Sequence, residues 1–284
     1  MPSSSDQPLV SIGLPTYNRA RLLQRALNNL TSQTWKNIEL IVADNASTDL
    51  EVKEVLLAAA SKDSRIRAIT HTENIGAVGN FLFVLQQARG EYFMWAADDD
   101  EWDDDFISTL MAEISTAGLV MSDYETLFHE SSICSKTNMP RLNALENRML
   151  DATKFIANMQ PSLVYGIYRT EALRTCTPST YFDFWDCALV YSVLIRHGIN
   201  TIPGYKYRAG VHGGDYEIKL ASPSRKKLGY SEITRSMLTE TWNARSLTLH
   251  DKARLSVSIL LAIYKLRKHL NPLVKKQFNK DKDR

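Results

Sequence analysis

The 284-residue sequence has few of the features that would assign it to a special class. Its three cysteines, Cys134, Cys176 and Cys187, are far apart and form no CxxC or Cys/His pattern, which argues against a disulfide framework or a zinc site and for buried free thiols. No stretch approaches the roughly 18–20 apolar residues that span a bilayer. The opening MPSSSDQP lacks the basic and apolar regions of a signal peptide, so a cytoplasmic protein is expected. Twelve glycines and nine prolines are too few for a fibrous or low-complexity chain. Charge of one sign is also scarce: the formal net charge is +2, which gives no case for a nucleic-acid partner.

What is present is the composition of a globular protein, 44% hydrophobic and 23% charged. Charge is uneven along the chain, however: between residues 252 and 284, Lys and Arg far outnumber the acids Asp281 and Asp283. Within this basic end, Leu255, Ile259, Ala262, Ile263 and Leu266 recur at helical spacing. Such a helix can pack on the main body, or lie with that apolar face on an anionic membrane surface as a peripheral contact.

The N-terminal half alternates. Residues 9–14, 38–43, 65–70 and 92–97 read as apolar strands; 19–30, 49–60 and 81–88 read as helices, with a glycine-bearing turn at 74–79. Strand–helix alternation implies a parallel sheet, since the helix supplies the crossover that parallel neighbours need. Further strands are expected at 119–122, 163–169 and 199–202, a loop-rich stretch at 131–150, a helix over 185–196 that starts near Asp183 or Asp186, and helices from about 231 onward.

In such a sheet, functional residues gather beyond the carboxyl ends of the strands. Those ends carry Thr16, Tyr17 and Asn18, then Asp44 and Asn45, then Asp98, Asp99 and Asp100. Three adjacent carboxylates repel one another unless a cation or hydrogen-bond donors compensate them. Mg²⁺ or Mn²⁺, held by one or two carboxylates and by substrate phosphates, is one such cation. Asp103, Asp104 and Asp105 read instead as the acidic start of a helix. Trp95 reads as core and Trp102 as a wall on the acceptor side. Tyr181, Phe182, Phe184 and Trp185 form an aromatic cluster suited to a ligand pocket or to core packing.

The stretch VSIGLPTYNRARLLQRALNNLTSQTWKNIELIVADNASTD resembles the start of a family 2 glycosyltransferase, and the resemblance continues through HTENIGAVGNF, ARGEYFMWAADDDEW and FDFWDCALVYSVLIRHG. It covers roughly residues 8–215 with falling strength. It implies a GT-A fold: an α/β protein with a Rossmann-like, mostly parallel central sheet flanked by helices, followed here by a C-terminal helical extension. The expected organisation is a catalytic domain over 1–225, with a nucleotide-sugar half at 8–118 and an acceptor half at 119–225, and a basic helical extension over 226–284. The implied activity is metal-dependent, inverting transfer of a sugar from a nucleotide diphosphate donor to a saccharide or lipid-linked saccharide acceptor, of the kind used in surface polysaccharide biosynthesis.

Carried onto this sequence, the resemblance places Pro15, Thr16, Tyr17 and Asn18 in the first nucleotide loop and Asp44 at the base. A carboxylate there can accept the imide N–H of uracil or thymine, which favours a UDP or dTDP donor. Asn74 and Asn80, with Gly76, match a segment that passes near the nucleotide. The motif Ala97-Asp98-Asp99 departs from the usual Asp-x-Asp in its first residue; Asp98 falls to ribose or metal-bound water and Asp99 to the metal. The catalytic base falls to Asp186 or to Asp183, an acid ahead of an apolar helix that ends in Gly198. His212, separated from Arg208 by three residues where the resembled Tyr-Arg-x-His pattern has one, falls to the metal or to phosphate, with Gly213 and Gly214 suited to loop closure. Two competing readings are a nucleotidyltransferase, which should carry a glycine-rich phosphate loop that 14–21 lacks, and a non-catalytic nucleotide-sugar binder.

Overall fold

The computed structural model describes residues 7–128, 133–178, 182–211 and 229–282. The N-terminal half follows the alternation of the sequence: β1 (Val10–Thr16), α1 (Ala20–Thr31), β2 (Ile38–Asp44), α2 (Leu50–Lys62), β3 (Ile66–Thr70), α3 (Ala77–Gln86) and β4 (Tyr92–Trp95). The strands pair in parallel in the order β3-β2-β1-β4. Every residue of β1 is buried, as expected of a parallel strand covered on both faces. Gly13 allows α3 to sit directly on this strand, because a Cβ there would lie 2.6 Å from Val84 Cγ2 and 2.8 Å from Phe93 Cζ. Helix α3 starts four residues earlier than its apolar run suggests, after Gly76 turns the chain at a φ of 80°. Gly79 therefore lies within the helix rather than in the preceding turn, and Asn80 lies in the helix beside it.

The second half is more mixed than the sequence pattern implies. It contains β5 (Glu101–Trp102), α4 (Phe106–Glu113), β6 (Leu119–Phe128), β7 (Ile133–Thr137), α5 (Arg148–Ala157), a 3₁₀ turn (Pro161–Tyr165), β8 (Ile167–Arg169), α6 (Thr170–Cys176), α7 (Trp185–His197) and β9 (Ile199–Val211). The sheet continues from β4 as β8-β6-β9-β5, with β7 paired to β6. β8 is antiparallel to both β4 and β6, and β9 runs parallel to β6. The stretch expected to be loop-rich thus contributes β7 and the start of α5, and only the end of 163–169 is strand. Cys176 and Cys187 are buried free thiols, as expected; nothing is described of the Cys134 side chain.

Helices α8 (Tyr230–Asn243) and α9 (Leu249–Lys282) close the chain. α9 packs against α5 and α8, and α8 packs against α7. Leu255, Ile259 and Ile263 are buried at these contacts, with Ala262 and Leu266 packed beside them. The apolar face that the sequence offered to a membrane is therefore consumed by the protein's own core. No described helix is long and apolar enough to cross a membrane.

Candidate active site

The carboxyl ends of β1, β2 and β4, the N-terminal turn of α7 and the end of β9 enclose a cleft of about 570 Å³. Pro15, Thr16, Tyr17, Asn74, Asn80, Asp98, Asp99 and Asp186 all line it. Pro15, Thr16, Tyr17, Asp98 and Asp99 are brought together because parallel strands point their carboxyl ends to one edge of the sheet, and the first turn of α7 adds Asp186.

The acidic turn after β4 is held on every side. Thr16 Oγ1 donates to Asp98 Oδ2 at 2.8 Å, and Arg19 Nη1 donates to Asp98 Oδ1 at 3.0 Å and to Asp99 Oδ2 at 3.1 Å. Arg25 Nη2 donates to the Asp99 carbonyl at 3.0 Å. Asp100 faces the other way: its carboxylate accepts from the Tyr207 hydroxyl at 2.6 Å and the Gly210 amide at 2.9 Å. The repulsion anticipated from three consecutive carboxylates is thus met by a guanidinium and by hydroxyl and amide donors. Burial still pushes the Asp98 and Asp100 carboxyls above the ordinary range, opposed at Asp98 chiefly by Arg19. Burial likewise raises the hydroxyls of Tyr165 and Tyr207, which line the same cleft.

At the end of β2, Asn45 Nδ2 donates to Asn74 Oδ1 at 3.0 Å, and Asn45 Oδ1 accepts from the Ile75 amide at 2.9 Å. These bonds fasten the turn at 74–76 to the end of β2. Asn80 is buried and donates to the Ala43 carbonyl at 2.7 Å. Asp44 does not line the cleft; it is buried, and its Oδ1 accepts from both the amide and the hydroxyl of Ser47. Its neighbour Asn45 takes the lining position. Asn18 is likewise outside the lining; at a φ of 53° its Oδ1 accepts from the amides of Thr48 and Asp49, which ties the first loop to the start of α2.

The two candidate bases separate in space. Asp183 Oδ2 accepts from the amide of Gly229, just ahead of α8, at 3.1 Å and does not line the cleft. Asp186 lines it, on the first turn of α7. It is half-buried at the surface yet densely surrounded, and burial pushes its carboxyl above the ordinary range, opposed by the amide of Cys187 at 2.8 Å. The preceding Phe184 is held at a φ of 65°, unusual for a bulky residue, with its ring stacked on Tyr230 at 5.8 Å. Trp185 meets the core residue Trp95 edge-on at 6.1 Å.

Some expectations change. Trp102 is not a cleft wall; it is 1% exposed and packs beside Tyr207. Asp103, Asp104 and Asp105 do lead into α4, as expected, and Asp103 and Asp105, with Glu101, also tie that lead-in to β9 through Arg208 and Lys206. His212 lies outside the described residues, as do Gly213, Gly214 and Tyr181. Arg19 is the cleft residue that sequence reading passed over, although the need for a cation beside Asp98 and Asp99 was its signal.

The atoms that Asp98 and Asp99 turn to Arg19 are carboxylate oxygens, the set preferred by Mg²⁺ and Mn²⁺. Among the described residues no three His, Cys, Asp or Glu side chains surround one point. An ion at Asp99 would therefore need the oxygens of a bound diphosphate and water to complete its shell.

Comparison with known proteins agrees with this geometry. The model of the family named Glycosyl transferase family 2 matches residues 11–189. The Escherichia coli protein named "Putative colanic acid biosynthesis glycosyl transferase WcaA" is 34% identical over 123 residues, 42% of this chain and 44% of that protein. The chain spans less than half the length of the first curated relatives it matches. Among solved structures, Staphylococcus aureus TarS 1–349 in complex with UDP-GlcNAc has a TM-score of 0.71 at 18% identity, over 95% of this chain and 79% of that one. The mannosyltransferase PcManGT of Pyrobaculum calidifontis, in complex with GDP-Man and Mn²⁺, has a TM-score of 0.60 at 17% identity, over 98% and 87%. At such identities the structural likeness speaks for the fold alone, which is GT-A. With its family model matched over more than half its length, the chain belongs to glycosyl transferase family 2.

Proposed function

We propose that the protein transfers a sugar from a nucleotide diphosphate donor to a hydroxyl of a saccharide acceptor, free or lipid-linked, with inversion at the anomeric carbon. The observation that carries the reading is the convergence of Asp98, Asp99 and Asp186 on one cleft, with the acidic pair and the single carboxylate on different elements. Membership of the family supports glycosyl transfer, and the colanic acid biosynthesis in WcaA's name supports polysaccharide as its setting.

In this reading the uridine or thymidine diphosphate lies along Pro15, Thr16, Tyr17, Asn74 and Asn80. A UDP or dTDP preference through Asp44 would require its Oδ2 to reach the base from behind the lining residue Asn45, since Oδ1 is held by Ser47. Asp99, with Asp98 beside it, would hold Mn²⁺ or Mg²⁺, whose charge offsets that growing on the leaving diphosphate. His212 is a second proposed contact to the metal or to phosphate.

Asp186 accepts the proton of the acceptor hydroxyl. That oxygen bonds to the anomeric carbon as the carbon–diphosphate bond breaks on the opposite side, which inverts the centre. Burial suits Asp186 to this task, because a carboxylate held above its ordinary range is a better proton acceptor. Thr16, Arg19 and Arg25 keep the acidic turn in place throughout. The residues 1–225 serve as the catalytic domain, and the helices beyond them brace α5 and α7. A screen of UDP- and dTDP-sugars against oligosaccharide acceptors, followed by release of the free diphosphate, tests the reading: acceptor-dependent release supports it, and binding with no turnover on any acceptor favours a nucleotide-sugar binder.

A further inference from the structure

Helix α9 has a second apolar stripe, on the side away from the core. Val257, Leu260, Leu261 and Tyr264 follow i, i+3, i+4, i+7 spacing and are 57%, 52%, 56% and 65% exposed. Four large apolar side chains in one continuous line on solvent-facing helix differ from the scattered exposed residues that any surface carries.

The charges around the stripe identify its partner. Arg254 lies one turn before it and Lys268 one turn after it; Lys265 and Arg267 follow Tyr264, and all four are exposed. No acidic residue occurs between Asp251 and Asp281. Trp242, half exposed, donates from its indole to Ser256, the residue before Val257 in sequence, at 3.1 Å. Aromatic rings with a polar edge, Lys and Arg that can extend from an apolar strip, and an excess of positive charge suit the boundary between acyl chains and anionic headgroups. A second copy of the chain fits less well, since a self-complementary contact would bring these cations face to face.

We infer that this outer stripe of α9 docks the protein on an anionic lipid bilayer, with Val257, Leu260, Leu261 and Tyr264 inserted among the headgroups. An apolar groove of about 650 Å³ between α5, α7 and α9 continues from it: Leu261 belongs to both stripe and groove, and Pro161 to both groove and cleft. Phe184 and Cys187, which bracket Asp186 in sequence, line that groove. Docking through the stripe thus sets the bilayer beside a groove that shares Pro161 with the cleft. The inference stands on exposure and charge and does not depend on the donor reading.

The test is co-sedimentation of the full chain with vesicles. Wild type is expected to pellet with equimolar phosphatidylglycerol and phosphatidylcholine and to remain in solution with phosphatidylcholine alone, with binding weakened by salt. The double substitution Val257→Glu with Leu260→Glu should lower partitioning about tenfold or more, with an unchanged melting temperature because both sites are exposed. Leu57→Glu on α2, an exposed apolar site elsewhere, should change nothing. Arg254→Gln with Lys268→Gln should remove the preference for phosphatidylglycerol. Failure of wild type to bind the anionic vesicles, or equal binding by the double glutamate variant, would overturn the inference. A wild-type dimer that the same variant dissolves would overturn it in favour of a copy–copy interface.

Discussion

Arg19 Nη1 lies 3.1 Å from Asp99 Oδ2 and reaches Asp98 Oδ1 from the same nitrogen, so one guanidinium bridges the two carboxylates of the acidic turn. A divalent ion arriving at Asp99 must share the carboxylates with this resident cation. Arg19→Ala should therefore raise the affinity for Mn²⁺ alone several-fold, on the order of 1 kcal/mol for a partly exposed pair. Arg19→Lys should stay near wild type. Counting free Mn²⁺ by electron paramagnetic resonance at fixed protein concentration checks both; an unchanged or weaker affinity in Arg19→Ala would show that the two cations do not compete.

The separation of Asp186 from Asp183 gives a second prediction. Asp186→Asn keeps shape and removes the proton acceptor, so kcat should fall roughly 10²–10⁴-fold with donor affinity retained. Asp183→Asn should keep most activity and lose at most about 1 kcal/mol of stability through its bond to the Gly229 amide. Steady-state kinetics with a thermal melt on each variant separates a chemical role from a structural one.

The pH dependence follows from the direction of the Asp186 shift. Above its folded-state pKa the group is a carboxylate and can take a proton; below it the group is protonated and cannot. Burial raises that pKa above the ordinary value of 3.8, so the acid limb of the kcat profile should lie at higher pH than an exposed aspartate would give. The same shift means that ionising Asp186 costs folding free energy. Its contribution to stability is fully present below the unfolded-state value and is lost as pH rises through the folded-state value. An acid limb at the position of an exposed carboxylate would remove Asp186 as the titrating group.

Gly13→Ala tests the packing that places the first loop. The added methyl would meet Val84 and Phe93 inside ordinary contact distance, so α3 must lift from β1. A loss of about 1–3 kcal/mol is expected in denaturant unfolding, with weaker nucleotide binding because α3 carries Asn80 into the cleft.

The first four strands and their helices are legible in the sequence because each is a local apolar pattern, and their carboxyl ends lead to Thr16, Asp98 and Asp99 with no further information. What was not legible depends on distant partners. Glu101 and Trp102 form a strand only because Arg208 and Tyr207 lie opposite, and that pairing, not the local pattern, buries Trp102. Asp44 and Asn45 look equivalent in sequence, but the Ser47 turn draws one inward and leaves the other at the cleft. Arg19 is a surface-helix arginine by pattern, and becomes a cleft residue only when β4 is laid beside β1. The helical period of α9 revealed one apolar face; burial shows that this face belongs to the core and that a second one faces out.

The most direct test of the account is calorimetric titration of UDP, dTDP, CDP and GDP, each with and without Mn²⁺, into wild type and Asp99→Ala. The account predicts that UDP or dTDP binds wild type in a Mn²⁺-dependent manner, and that Asp99→Ala, still folded, loses that dependence. Absence of binding by all four to folded wild type, or binding that neither Mn²⁺ nor Asp99→Ala changes, would contradict the assignment of the cleft as a metal-assisted donor site.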